Sequence, residues 1–241
     1  MKDILIISDL HLSRGRPATI DLFLRFLKEQ AQNAGYLYIL GDLFDAWIGD
    51  DDITPPVPEI IEGLHHLSKQ GCVLSIMHGN RDFLLGEVFA NATGCTLIPD
   101  PSVVDLNGTP TLLMHGDLLC SDDKEYLQAR KLLRSKDFIA DFLSRSIAER
   151  LQLAAEYRKR SGEVVSLKSA DIMDVNQLTV ADYMQENGVQ QLIHGHTHRP
   201  ALHQFLLDGK EAKRYVLEDW HETYGSYIRV NGKNISQETF R

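Results

Sequence analysis

The sequence has few of the features that mark secreted, membrane-spanning or disordered proteins. Its three cysteines, Cys72, Cys95 and Cys120, are odd in number and lack the Cys-x-x-Cys spacing of structural zinc sites and redox pairs. The apolar run at residues 4–7 is too short for a signal peptide or a membrane span, and low-complexity tracts are absent from the sequence. We therefore expect a cytoplasmic globular protein that folds as a single domain over residues 1–241.

Basic residues are also scarce, except in one segment. With 25 Lys and Arg against 34 Asp and Glu, the net charge is −9, which argues against nucleic acid as a partner. Residues 124–160 depart from this balance, since ten basic residues there face five acidic ones. The segment therefore carries +5 and the rest of the chain −14.

The same segment has the periodicity of an amphipathic helix. Its apolar stripe consists of Phe138, Ile139, Phe142, Leu143, Ile147 and Leu151. We predict a helical insertion at about residues 122–170. Two interpretations stay open: helices packed on the core with a solvated basic face, or a lid that meets an anionic or lipid-like ligand.

Short apolar runs rich in β-branched residues alternate with helical patterns in the rest of the chain. The runs occupy residues 4–8, 36–40, 73–77, 111–114, 191–193, 215–217 and 226–230. Helical spacing fills residues 17–33 and 57–70 between them. This order predicts an α/β fold with layered sheets and with helices outside.

Five small polar motifs follow these predicted strands directly. They are Asp9-Leu10-His11, Gly41-Asp42, Gly79-Asn80-Arg81-Asp82, His115-Gly116-Asp117 and Gly195-His196-Thr197-His198. Ligands of layered α/β folds gather beyond the carboxyl ends of strands, so side chains from five strands can converge on one site. Each motif alone is a weak signal that is common in turns, but the ordered set of five predicts one catalytic centre.

The residue types predict a centre with two divalent cations. Imidazole, carboxylate and amide ligands without a thiolate favour Mn²⁺, Fe²⁺ or Zn²⁺. Asp9 and His11, two apart on an extended segment, are expected to project to one side and chelate a single ion. The Asp42 carboxylate is expected to bridge two ions roughly 3.5 to 4 Å apart.

The ordered motifs resemble the calcineurin-like metallophosphoesterases, whose pattern is D-x-H, G-D, G-N-H-[DE], a later H and G-H-x-H. The resemblance implies a four-layer αββα sandwich with two packed sheets. It implies one metal bound by Asp9, His11, Asp42 and His198, and a second bound by Asp42, Asn80, His115 and His196. Both ions would serve the attack of water on phosphorus.

One position departs from that pattern. Arg81 stands where the superfamily usually has a histidine that protonates an alkoxide leaving group, and arginine is a poor general acid. A leaving group that needs no proton fits this position best. The departure therefore favours a pyrophosphate substrate over a simple alkyl phosphate ester.

A narrower resemblance, to the family of UDP-2,3-diacylglucosamine hydrolases of lipid A biosynthesis, covers nearly the full length. The segments that carry it are residues 8–12, 38–51, 78–86, 172–177 and 194–200. It implies Mn²⁺-dependent attack of water on the α-phosphorus of UDP-2,3-diacylglucosamine, with UMP and 2,3-diacylglucosamine 1-phosphate as products. The implied catalytic residues are Asp42, Asn80, Arg81 and His196, and the implied substrate contacts are Asn80, Arg81, Asp123, Ser161, Lys168 and His196.

This resemblance gives the basic insertion a function. We expect Phe138, Phe142, Leu143 and Leu151 to line a cleft for two acyl chains, and Arg158 and Lys168 to face the pyrophosphate or nucleotide. We also expect peripheral association with the anionic cytoplasmic leaflet of the inner membrane. No protein partner is predicted.

Two other hypotheses stay open. The first is a phosphoesterase with the same metal ligands that acts on soluble nucleotides or phosphoproteins, but such a substrate gives no reason for an acyl-sized groove. The second is a scaffold protein that has lost catalysis, whose mark would be missing ligands; all seven ligand positions are filled here.

Overall fold

The computed structural model describes residues 2–167 and 174–241, and it gives side chains for these residues outside 160–167. The described strands are β1 (Ile4–Ile7), β2 (Tyr36–Ile39), β3 (Val73–Met77), β4 (Thr96–Ile98), β5 (Ser102–Asp105), β6 (Pro110–Met114), β7 (Gln191–His194), β8 (Ala201–Leu207), β9 (Lys210–Val216), β10 (Gly225–Asn231) and β11 (Asn234–Phe240). The described α-helices are α1 (Pro17–Glu29), α2 (Val57–Lys69), α3 (Glu87–Thr93), α4 (Lys124–Leu133), α5 (Lys136–Ser144), α6 (Ile147–Leu167) and α7 (Gln177–Glu186). Short 3₁₀ turns follow α1 and β6.

The strands form two mixed sheets. The first has the order β11-β10-β1-β2-β3-β4, with β1 to β4 parallel to one another. The second has the order β5-β6-β7-β9-β8, with β6, β7 and β9 parallel. All the strands that carry a predicted motif therefore run in parallel inside a sheet, and their carboxyl ends lie at one edge of that sheet.

Alternate side chains of the central strands face two different cores. Ile4 and Ile6 of β1 pack with Leu113 and Ile193 of the second sheet, so the two sheets lie face to face. Leu5 and Ile7 of β1 pack instead with α1, α2 and α3. The outer face of the second sheet packs with α7. These layers confirm the predicted four-layer αββα sandwich.

The sequence analysis found the buried strands and missed several at sheet edges. β4, β5, β8 and β11 are all edge strands, and they expose many of their side chains. An apolar run marks a strand that is buried on both faces, whereas an edge strand lacks this signal. Apolar runs therefore predict the buried strands and do not predict these four edge strands.

The basic segment forms three helices, α4, α5 and α6, rather than one long stretch. Ser135 caps α5 through the Phe138 N–H, and Ser146 and Glu149 form a reciprocal capping box at the start of α6. The predicted single stripe was therefore wrong, because each new helix resets the helical phase. Among the described residues, no helix is long and apolar enough to cross a membrane.

The stripe residues fall into two groups. Phe142 is buried in the core, and Phe138, Ile139 and Ile147 pack against it. Leu143 and Leu151, which were expected to line an acyl cleft, are 41% and 50% exposed. Of the four residues expected to line the acyl cleft, Phe142 lines the cavity described below, whereas Phe138, Leu143 and Leu151 are not among its described lining residues.

Asp50 connects the loop after β2 to the start of helix α3. Its carboxylate accepts hydrogen bonds from the N–H groups of Gly86 and Phe89, at 3.0 and 2.9 Å, and from the indole of Trp47 at 3.0 Å. It therefore caps the first turn of α3. Its neighbour Asp51 pairs with Arg150 of α6.

We predict that Asp50→Ala lowers the free energy of unfolding by about 2–3 kcal/mol, because it removes a helix cap and leaves an indole N–H without its partner. Asp52→Ala is the matched control, since Asp52 accepts only a local bond from the Thr54 N–H among the described contacts. Urea unfolding of both variants measures the difference. Equal stability of the two variants would contradict the capping role.

Candidate metal centre and active site

The loops that follow five strands bring all seven predicted metal ligands together. These ligands are Asp9 and His11 after β1, Asp42 after β2, Asn80 after β3, His115 after β6, and His196 and His198 after β7. β1, β2 and β3 belong to the first sheet, and β6 and β7 to the second. The centre thus lies at the edge where the two sheets meet.

The backbone at most of these ligands is left-handed. Asp9, His11, Asp42, His196 and His198 have φ angles of 57°, 49°, 52°, 69° and 54°. Residues with a Cβ seldom adopt this conformation, and they keep it at sites where the surrounding structure imposes it. The prediction of an extended segment for Asp9 and His11 was therefore wrong, although the two side chains do converge.

Glycines allow two of the carboxylates to approach the backbone closely. A Cβ on Gly79 would lie 2.1 Å from Asp42 Oδ1, and a Cβ on Gly195 would lie 2.2 Å from Asp9 Oδ2. Any side chain at either position would displace a ligand. The glycines of the Gly-Asn-Arg-Asp and Gly-His-Thr-His motifs therefore serve the packing of the carboxylates.

The first group of ligands surrounds His198. His198 Nε2 lies 3.3 Å from Asp9 Oδ1 and 3.4 Å from His11 Nε2. His11 Nδ1 lies 3.8 Å from Asp42 Oδ2. Three of these residues, Asp9, His11 and His198, present ligand atoms close enough to bind one cation.

The second group surrounds the Asn80 amide. Asn80 Oδ1 lies 2.9 Å from His115 Nε2 and 3.0 Å from His196 Nδ1. Asp42 Oδ1 lies 3.9 Å from His115 Nε2, while Oδ2 faces His11. The two oxygens of Asp42 thus face different groups, which is the arrangement expected of a bridging carboxylate.

Unsatisfied polar atoms indicate that cations complete this centre. Asp9 Oδ1 and His11 Nδ1 are buried and make no hydrogen bond of good geometry to any described residue. His115 Nδ1 is hydrogen-bonded to the Leu40 carbonyl at 2.8 Å, which leaves Nε2 facing the cluster. Oxygen and imidazole donors with no sulfur fit two divalent cations of the Mn²⁺, Fe²⁺ or Zn²⁺ type.

Protonation equilibria support the same conclusion. Burial raises the pKa of Asp42 to about 8, and Asp82 and Asp9 add to the shift although His115 opposes it. Burial alone would lower the pKa of His115, but the charges of Asp42, Asp117 and Asp9 outweigh it and raise this pKa to about 9. Without a cation the cluster therefore holds protons near neutral pH.

We predict that the free energy of unfolding of the metal-free protein falls as pH rises from 6.5 to about 9. In this window folded Asp42 and His115 retain protons that the unfolded chain releases, so higher pH favours unfolding. Bound cations take the place of these protons, and Mn²⁺ at a hundred times its Kd should add about 2.7 kcal/mol. Urea unfolding with chelator or with Mn²⁺ measures both effects.

Asp42→Asn should abolish the Mn²⁺ effect and flatten the metal-free pH dependence. Asp21→Asn, at an exposed position on α1, is the control and should change neither. A metal-free protein whose stability rises over this pH range would show that the cluster does not hold these protons.

Asp82 is a site residue to which the sequence analysis gave no role. Its buried carboxylate accepts hydrogen bonds from the N–H groups of Gly79, Asp42 and Leu43, at 2.8, 3.3 and 2.7 Å. These bonds join the loop after β2 to the loop after β3. Its place as the fourth residue of the Gly-Asn-Arg-Asp motif is the feature of the sequence that could have identified Asp82 as a site residue.

Asp117 was also missed, together with its partners on α4. Its buried Oδ2 accepts from the Tyr126 hydroxyl at 2.5 Å and from Arg130 Nε at 2.6 Å. Directly after α4, Arg134 Nη2 donates to the Gly79 carbonyl at 2.8 Å. Helix α4 thus holds the loops that carry His115 and Asn80.

The predicted substrate contacts lie in different places. Arg81 and Asp123 line a cavity beside the metal centre, and the Asp123 carboxylate also caps α4 through the Tyr126 N–H. Ser161 and Lys168 lie outside the described side chains, and these predictions remain predictions. Arg158, expected at the pyrophosphate, lines the same cavity.

This cavity has a volume of about 430 Å³ and lies between the core and helices α4 to α6. Asn80 and Arg81 form its wall on the side of the metal centre. Trp47, Phe83 and Phe142 contribute aromatic walls elsewhere. A cavity of this size and lining is typical of small-molecule sites.

A two-sheet α/β sandwich with a His, Asp and Asn cluster at the sheet edge defines a metallophosphoesterase. Residues 2–200 match the family model of the calcineurin-like phosphoesterases, and the chain belongs to this family. An archaeal phosphodiesterase structure aligns over 99% of both chains with a TM-score of 0.51 and 12% identity, which shows the shared fold.

Curated relatives are similar over almost the whole chain. A protein of Chromohalobacter salexigens is 48% identical over 226 residues, which are 94% of this chain and 92% of the relative. A protein of Pseudomonas aeruginosa is 48% identical over 237 residues, 98% of both chains. Both relatives are named UDP-2,3-diacylglucosamine hydrolase.

Proposed function

We propose that this chain hydrolyses the pyrophosphate bond of UDP-2,3-diacylglucosamine and releases UMP and 2,3-diacylglucosamine 1-phosphate. The observation that carries the proposal is the continuity between the candidate metal centre and an apolar cavity. Asn80 is a predicted metal ligand and also lines the cavity, which continues to Trp47 and Phe142. A substrate with phosphates at one end and acyl chains at the other fits this combination, and the names of the relatives agree with it.

The polar end of the cavity suits a pyrophosphate. Arg81 and Arg158 line this end and offer guanidinium groups to phosphate oxygens. Bound Mn²⁺ ions, the proposed native pair, would polarise the phosphoryl oxygens and lower the pKa of an attacking water. Asp42, Asn80 and His196 would hold these ions and the α-phosphate in place.

Arg81 also accounts for the choice of bond. Attack of water on the α-phosphorus breaks the bond to the bridging oxygen, which departs with the sugar 1-phosphate as an anion. This leaving group needs no proton, so a guanidinium that neutralises it is sufficient. An alkoxide leaving group would need an acid, which arginine does not provide.

The apolar walls favour a lipid substrate over a soluble nucleotide or a phosphoprotein. Phe83, Leu133 and Phe142 line the cavity, and Phe142 is almost fully buried. Apolar walls of this kind contribute to binding through the apolar area that the ligand buries. A soluble nucleotide leaves these walls without a partner.

We predict that the Mn²⁺-loaded protein releases UMP from UDP-2,3-diacylglucosamine and turns over UDP-N-acetylglucosamine or a soluble phosphodiester at least about a hundredfold more slowly. The loss of two acyl contacts, at about 1.5 kcal/mol or more each, sets this ratio. Asp42→Ala should reduce turnover at least about a thousandfold, and Asp21→Ala should not. Release of UMP and of the sugar 1-phosphate is measured by mass spectrometry in ¹⁸O water.

The isotope decides the site of attack. Label in UMP supports attack on the α-phosphorus, and label in the sugar phosphate assigns the attack to the β-phosphorus. If the soluble substrates are turned over as fast as UDP-2,3-diacylglucosamine, the phosphoesterase activity is supported but the lipid specificity is refuted. No turnover with Mn²⁺, Fe²⁺ or Zn²⁺ would support the scaffold hypothesis instead.

We further propose peripheral association with the anionic cytoplasmic leaflet of the inner membrane. Three leucines of the basic helices, Leu132, Leu143 and Leu151, are 63%, 41% and 50% exposed. Exposed apolar side chains beside basic ones favour attachment to the interface of an anionic membrane. The lipid substrate gives this attachment a purpose.

Replacing these three leucines with serine should weaken binding to phosphatidylglycerol vesicles at least about tenfold, because each inserted leucine contributes about 1 kcal/mol or more. The matched control replaces Leu178, Leu202 and Leu206, which are 76%, 51% and 73% exposed but lie outside the basic helices. Co-sedimentation measures binding. Equal loss in both variants would refute an oriented attachment.

A further inference from the structure

Asp45 lies between the two arginines at the polar end of the cavity. Arg158 Nη1 donates to Asp45 Oδ2 at 2.6 Å, and Arg81 Nη1 lies 3.8 Å from Asp45 Oδ1. We infer that Asp45 determines the anion specificity of the site. In the free protein Asp45 neutralises both guanidinium groups. A substrate with adjacent phosphates replaces Asp45 as their partner, and both arginines pair with Asp45 again when the product leaves.

The backbone holds Asp45 in a fixed position. Its N–H donates to the Leu12 carbonyl at 3.1 Å, and the N–H of nearby Trp47 donates to the Arg81 carbonyl at 3.1 Å. The loop of Asp45 is therefore joined both to the first ligand loop and to the loop of Arg81. A short carboxylate on a fixed loop cannot follow its partners, so the arginines must move toward the ligand.

Both arginine side chains have the freedom for this movement. The exposed fraction is 39% for the Arg81 side chain and 40% for the Arg158 side chain. Each is a long side chain, and each has Asp45 as its only acidic partner among the described residues. An ion pair of this exposure is weak, so one phosphate group of a ligand can replace Asp45 at one arginine.

A second ion pair of α6 has a buried arginine and therefore differs from the exposed pair of Arg158. Eight residues before Arg158, Arg150 pairs with Asp51, but the Arg150 side chain is only 3% exposed and also donates to the Ile48 carbonyl at 2.7 Å. Gly49 leaves space for this guanidinium. The buried Arg150 side chain, which keeps its bond to the Ile48 carbonyl without Asp51, therefore holds α6 in place while Arg158 exchanges its partner.

The charge of Asp45 has a consequence for affinity. With Asp45 the three side chains sum to +1, and without it they sum to +2. A ligand with a single phosphate cannot replace Asp45 at both arginines, whereas adjacent phosphates can. Asp45 thus selects against monophosphates and speeds the release of UMP. The identity of these ligands rests on the function proposed above.

The test compares Asp45→Asn with Asp51→Asn, which removes the same charge from the other ion pair of α6. Calorimetry with the Mn²⁺-loaded proteins measures binding of UMP and of inorganic pyrophosphate. Asp45→Asn should bind UMP about tenfold more tightly, with a smaller gain for pyrophosphate, and Asp51→Asn should differ from the unmodified protein by less than about twofold. Unfolding curves establish that both variants are folded.

A different result is expected if the ion pair between Asp45 and Arg158 only attaches α6 to the core. In that case both variants loosen α6 and weaken binding of both anions, which would overturn the inference. Unchanged UMP affinity in Asp45→Asn would overturn it too. Adding Arg158→Gln to Asp45→Asn should remove most of the gain, and a gain that survives this change would show that the effect does not act through Arg158.

These binding measurements are independent of turnover. Failure of the protein to hydrolyse UDP-2,3-diacylglucosamine would refute the proposed function and leave the pyrophosphate and UMP comparison intact. If turnover is observed, Asp45→Asn should show stronger product inhibition by UMP, again by about tenfold. Product inhibition equal to that of the unmodified enzyme would count against the inference even when the activity is confirmed.

Discussion

The burial of several carboxylates at one sheet edge is the constraint on which the rest of the structure depends. Asp9, Asp42, Asp82 and Asp117 are almost fully removed from water. A buried charge is unfavourable unless donors or cations compensate it. Asp82 has backbone N–H groups and Asp117 has Arg130, whereas Asp9 and Asp42 face imidazoles and polar atoms without partners. Neither Asp9 nor Asp42 has an arginine partner or as many N–H donors as Asp82 among the described residues, so these two carboxylates are the ones that need cations.

The same constraint explains the unusual backbone of the ligand loops. A side chain that must point back across the end of its own strand needs a sharp turn, and a left-handed residue provides one. This conformation is unfavourable for Asp and His, and it persists because neighbouring contacts fix it. The Asp9 carboxylate accepts from the Ser8 hydroxyl and the His196 N–H, at 2.6 and 2.9 Å. The ligand loops thus hold one another through these hydrogen bonds.

The sequence predicted the parts of the site that depend on local patterns. The ligands lie within four residues of a strand end, so motif and strand could be recognised together. Tyr126, Arg130 and Arg134 could not be found in this way, because their role depends on how α4 lies across the sheet edge. Leu151 departs from the predicted stripe because the stripe was extended past the start of α6, which the Ser146-x-x-Glu149 capping box marked. Leu143 lies in α5 with Phe142, but its side chain is on a more exposed side of that helix.

Helices α4 and α6 meet the core in different ways, and this difference links the metal centre to the cavity. Arg130 of α4 and Arg134 at its C-terminal end contact the loops of His115 and Asn80, and Arg134 also lies over the Phe83 ring. Helix α6 packs on the core through Ile147, Leu153 and Ala154, and its ion pairs to the core come from one buried and one half-exposed arginine. Because α4 is fixed at the metal centre and α6 at Arg150, the cavity between them has stable walls. The exchangeable contact is confined to its polar end, where the phosphates would bind.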